Sequence, residues 1–108
     1  MRPDVPQYYG FTDVRGFRDF ILEVIAGAPA DFMEMDWLSP EEQMTLDRAF
    51  EGLRIGFDLV EWEFGSTKAS PMRAFANESL AAYRNGDDRS GQSKLEAIEK
   101  LLRRLSTQ

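Results

Sequence analysis

SPEEQMTLDRAFEGLRIGFDLVEWEF, residues 39–64, opens on a helix-start signal and then keeps a helical apolar period to its end. Ser39 stands as N-cap, Pro40 at the first helical position and Glu42 three residues after the cap. At 3.6 residues per turn, Leu46, Phe50, Leu53, Phe57, Val60 and Phe64 fall within roughly 40° of one line, which makes that line a core face. Asp47, Glu51, Arg54, Asp58 and Glu61 share one flank, which is therefore acidic and solvent-facing. Met44, Ile55, Leu59 and Trp62 form a second apolar patch, and Ala49, Gly52 and Gly56 leave a smooth strip where another backbone can approach. A helix with this little polar surface is expected to be contacted from two sides. The spacing predicts a helix over 40–64.

Outward from this stretch, the same period recurs three times. Val14, Phe17, Ile21, Val24 and Ile25 predict a first helix over 12–26, stopped by Gly27 and Pro29. Ser70-Pro71 repeats the Ser-Pro start, and Met72, Phe75, Ala76, Leu80 and Tyr83 predict a third helix over 71–85, with Asn85-Gly86 as its left-handed stop. Asp87 or Asp88 caps a fourth, over 88–105, with Leu95, Ile98, Leu102 and Leu105 as its seam and Lys100, Arg103 and Arg104 at the negative end of its dipole. Its first turn, with Ser90 and Gly91, reads as weak. Residues 1–11 form an arm: two prolines argue against a helix, and Tyr8, Tyr9 and Phe11 either pack on the bundle or serve as a hook for a partner. Asp31–Leu38, DFMEMDWL, is too apolar for a free loop. It reads as a helical turn or packed connector with Trp37 covering one end of the core, and its methionines beside the tryptophan also suit an adaptable binding surface. No period-2 strand pattern or internal repeat stands out, so the expected fold is all-α, one domain of four main helices.

Composition removes several function classes. With no histidine and no cysteine among 108 residues, there is no imidazole base, no thiolate nucleophile and no zinc site of the usual kinds. No glycine cluster makes a phosphate loop, and the Ser, Thr and Lys residues lack a partner base. No catalytic residue, metal ligand or cofactor is therefore expected. The net charge of -6 is uneven: residues 31–64 hold ten acids against two arginines, and residues 65–108 are net positive. This balance argues against nucleic acid, and it favours a basic protein partner. No apolar run reaches bilayer length and the opening MRPDVPQYYG has no apolar core, so a soluble cytoplasmic protein that does not enter a membrane is expected.

The acid flank has three readings. It is a solvated helix face, or a cation site if acids converge from a second helix, or a recognition surface with the apolar patch beside it. The Gly52-x-x-x-Gly56 step reads as a close approach of a neighbouring helix or of the arm.

The run Leu80-Ala81-Ala82-Tyr83-Arg84-Asn85-Gly86-Asp87, then Gly91 and the Leu95 to Leu105 seam, resembles the ends of small, acidic, all-helical immunity proteins. These accompany bacterial toxins of type VI secretion and related contact-dependent systems. The likeness spans residues 38–105. It implies a protein that binds one cognate toxin domain, covers its active site and has no catalysis of its own. On this reading Asp47, Glu51, Asp58 and Glu61 supply charge complementarity, and Ile55, Leu59 and Trp62 are the apolar anchors. The alternative is a homodimeric helical scaffold or secretion adaptor in which the Ile55, Leu59, Trp62 patch associates with a second copy.

Overall fold

The computed structural model describes residues 2–106. Among these the chain forms four α-helices and no strand: α1 (Val14–Gly27), α2 (Leu46–Phe64), α3 (Ser66–Arg84) and α4 (Asp88–Ser106). Each helix packs against the next, and α1 closes on α4, so the apolar stripes converge on one centre. That centre holds Phe17, Ile21 and Val24 of α1, Leu53, Phe57 and Val60 of α2, Met72 of α3, and Leu95, Ile98 and Leu102 of α4. These are residues that the helical period places inward. Among the described residues no helix is long and apolar enough to cross a membrane.

Two helix starts differ from the expectation. The Ser39 signal is used: the Glu42 carboxylate accepts from the Ser39 backbone N–H and from its hydroxyl, each at 3.1 Å. It caps only a 3-10 turn, Pro40–Glu42, after which Gln43 is extended with ψ 152°. The helix proper begins six residues later, where the Thr45 side chain accepts from the Arg48 N–H at 3.1 Å. In α3 the start moves the other way. The helix begins at Ser66 and carries Pro71 inside it, because its buried stripe starts one turn earlier at Ala69 and continues through Met72, Ala76, Ser79 and Tyr83. Burying that extra turn outweighs the one backbone hydrogen bond that Pro71 cannot donate. Gly65, at φ +97°, is the whole connection between α2 and α3.

The small-residue strip of α2 is used as the sequence suggests. A Cβ on Gly52 would lie 2.7 Å from the Tyr9 and Phe20 rings, and one on Gly56 would enter the Phe17 ring. α1 and the arm therefore rest directly on the α2 backbone. The arm packs rather than projecting as a hook: Tyr9 and Phe11 are buried, and Tyr9 meets Phe20 edge-on at 5.7 Å. Gly27 also differs from expectation. It lies within α1 and provides a seat for Phe32, whose ring would be 2.6 Å from a Cβ there.

The Tyr83-to-Gly91 corner is a packing device. Gly86 takes φ +80° to stop α3, the Tyr83 ring lies against Gly91, and the buried Ser79 hydroxyl donates to the Gly91 carbonyl at 2.7 Å. The first turn of α4 is thereby held by α3 instead of being weak, and α4 is helical from Asp88.

Candidate functional site

The acid flank of α2 is intact on the surface, but the chain's own arginines occupy it. Asp58 accepts from Arg73 at 2.7 Å, with Glu61 at 3.8 Å from the same guanidinium. Asp47 faces Arg84 at 3.1 Å, and Glu51 is paired with Arg54. Arg73 and Arg84 come from α3, whose surplus of positive charge lies along the acidic flank. The pairs are largely solvent-exposed, so each contributes little to stability. They do weaken the negative field that a basic partner would meet, three guanidinium groups standing against four carboxylates. The open space between α2 and α3, about 540 Å³, is correspondingly of mixed charge, with Asp47 and Glu51 beside Arg54, Arg73 and Arg84.

The three apolar anchors expected beside this flank are not together on the surface. Leu59 is 2% exposed and belongs to the core, so it cannot touch a partner. Ile55 is half-buried against that core. Trp62 alone is presented, 53% exposed, with the Arg2 guanidinium 6.0 Å from its ring. Met44 precedes α2 and does not extend the patch. The helical period of α2 cannot separate these positions, because the helix is covered from two sides and Leu59 lies within the covered arc.

A second concavity is built from residues upward in a different way. Phe20 and Val24, at the margin of the core on α1, supply a floor, the arm closes one end with Tyr8 and Tyr9, and the 28–45 connector forms the facing wall. The space is about 520 Å³. The wall is fixed by one side chain. The Gln43 Oε1 accepts from the Met35 N–H at 2.8 Å, and its Nε2 donates to the carbonyls of Met35 at 2.7 Å and Leu38 at 2.9 Å. Phe32 anchors the other end of the wall on Gly27. Between these two fixings Met33 and Trp37 remain 76% and 64% exposed, so Trp37 stands on the rim of the groove instead of covering the core.

The charged residues lining this groove are Asp19, Glu23 and Asp31, with no lysine or arginine among them. None of the three is in a salt bridge among the described residues. Loss of water around the Glu23 carboxylate, and then the charge of Asp19 one turn before it, raise its pKa above the ordinary value. Large apolar side chains that stay in solvent next to unpaired charge compose a recognition surface.

The sequence offers an adaptable surface from the methionines and Trp37 as the alternative to a packed connector, and the groove is lined by Met33, Met35 and Trp37. Asp19, Glu23 and Gln43 carry no such expectation. Asp19 and Glu23 are an i, i+4 acid pair on α1, the one signal available for them. Gln43 has none, since its partners are backbone groups. Comparison of the chain with family models, curated proteins and solved structures gives no match.

Proposed function

We propose that this chain is a non-catalytic binding protein of the immunity type, which neutralises a toxin domain by docking it on the groove between α1 and the 28–45 connector. The observation that supports this reading is the exposure of Met33 and Trp37 on a wall held by Gln43, directly beside acids that are in no salt bridge among the described residues. Burying a tryptophan and a methionine at the centre of an interface is the usual source of its affinity. The resemblance carried by residues 80–105 supplies the class of partner, and the groove supplies the place. The acid flank of α2 is left outside this proposal, because Arg54, Arg73 and Arg84 already pair with it.

The test is affinity capture from the native cell with the wild-type chain and with Trp37→Asp, followed by an activity assay of the captured protein. The wild type should retain a toxin domain and reduce its activity, and Trp37→Asp should release it. A partner retained equally by both would lie elsewhere on the surface, and a partner whose activity is unchanged in the complex would end the immunity reading.

A second reading rests on Trp62. With Phe64, 39% exposed, it leaves an apolar end on α2 that suits a second copy of the chain in a homodimeric scaffold or secretion adaptor. Sedimentation of the chain alone checks it: a dimer that separates on Trp62→Asp supports this reading.

A further inference from the structure

We infer that the groove takes a short apolar segment of a partner protein bearing one lysine or arginine, whose cation is received by Asp19 and Glu23 while its apolar neighbours lie against Met33 and Trp37. The inference rests on the reading of the groove as the docking face and specifies what enters it.

Charge complementarity carries the argument. The groove on α1 and the space between α2 and α3 are of similar size, and they are matched differently. Between α2 and α3 the acids are answered by three arginines of the same chain. In the α1 groove three acids line the space, and none of them is in a salt bridge among the described residues. The base adjacent in sequence, Arg18, is engaged by Glu99 of α4 at 3.4 Å. A cation entering here therefore displaces no internal pair. The walls narrow the choice further. Apolar side chains close the groove on both sides, so a bare ion would leave Met33 and Trp37 wet, whereas a lysine or arginine brings an aliphatic stem of its own. The Trp37 ring on the rim adds a face that attracts a cation, whereas the Tyr8 ring already carries the Arg48 guanidinium at 4.9 Å. A space of about 520 Å³ holds a few side chains and not a folded element, and the methionines adapt its shape to different neighbours.

The Glu23 carboxylate, exposed but with part of its water removed and Asp19 beside it, agrees with this. Its ionised form is disfavoured in the free protein, and an arriving cation removes that penalty.

The experiment is a titration of the full, isotopically labelled chain with three blocked peptides, Ala-Leu-Arg-Leu-Ala and its counterparts with norleucine or glutamate at the centre, followed by backbone amide shifts. The arginine peptide should move the resonances of Asp19, Glu23, Met33 and Trp37, with a Kd about tenfold below that of the norleucine peptide at low salt. The glutamate peptide should not bind. In Asp19→Asn/Glu23→Gln, two exposed changes on α1, the arginine advantage should vanish, with a melting temperature no lower than that of the wild type confirming the fold.

Equal binding of the arginine and norleucine peptides would overturn the inference and leave the groove as an apolar docking face. An arginine advantage that survives in the double variant would also overturn it, as would no shift at the groove with any peptide. The docking reading fails separately, if Trp37→Asp still retains the partner in the capture experiment. A free chain that sediments as a dimer and separates on Trp37→Asp would make a second copy the occupant and overturn the inference.

Discussion

Gln43 is the residue on which the groove wall depends, because one amide supplies both the acceptor for Met35 and the donor for Met35 and Leu38. Gln43→Ala leaves the Met35 N–H and the Leu38 carbonyl without that partner, while the Met35 carbonyl keeps the Leu38 N–H at 3.1 Å; the cost is about 1–3 kcal/mol by chemical denaturation, and the segment that presents Trp37 is loosened. Amide exchange at Met35 and Leu38 should rise more than exchange in α3 or α4. Two carboxylates titrate with opposite consequences. Glu42 is held below its ordinary value of 4.5, first by the Ser39 backbone N–H and then by the Ser39 hydroxyl. Its contribution is present above that value and is lost as pH falls through the lowered one. Glu23 is raised above 4.5, so its effect is most favourable when protonated and is lost as pH rises through the raised value. In melting curves across the carboxylate range, Glu42→Ala should flatten the acid side and Glu23→Gln the upper side. A shared or reversed pattern would contradict these assignments. At this scale the sequence shows which residues are apolar or charged, but not which backbone groups a glutamine reaches.

The elements themselves are legible. α1, α2 and α4 follow from apolar period and caps, and the boundaries that moved did so for local reasons. At α2 a genuine cap at Ser39 closes a short turn, since Gln43 is drawn into the connector and cannot continue a helix. At α3 the inward stripe begins with Ala69, too small to register as hydrophobic beside Pro71, a strong stop signal. Glycine is the other weakly legible feature. Gly56 reads as a smooth place on α2, and the structure fills it with the Phe17 ring. Gly56→Ala should therefore destabilise by about 1–3 kcal/mol through overpacking, although alanine is the better helix former. A gain in stability on denaturation would show that α1 can shift away from α2 without cost.

Across the whole molecule, charge is arranged to be used twice. The net-positive C-terminal part brings Arg73 and Arg84 against the acids of α2, a pairing that a linear count of charge by segment cannot reveal. This is why the acid flank, the most conspicuous feature of the sequence, is the less promising docking face. Charge reversal there, Asp58→Lys/Glu61→Lys, sets two lysines against Arg73. It should lower the melting temperature modestly, at up to about 1 kcal/mol for each exposed pair, and leave peptide binding at the α1 groove unchanged. Loss of peptide binding in that variant would mean that the two faces act together. The candidate groove was half legible, in Met33, Met35 and Trp37. Its acids lie on another helix and its rigidity comes from an amide, and only the folded chain brings these together.

The single-residue joint at Gly65 has a consequence for how the molecule assembles. α2 and α3 meet through contacts close along the chain, and α4 follows after Asp87, so these three can associate early. α1 must wait. Its neighbours are α2, reached only by closing the long 28–45 loop, and α4, made after the other three. Of the four, the helix made first is thus the last to find its place, and until then its phenylalanines lack the surface that later buries them.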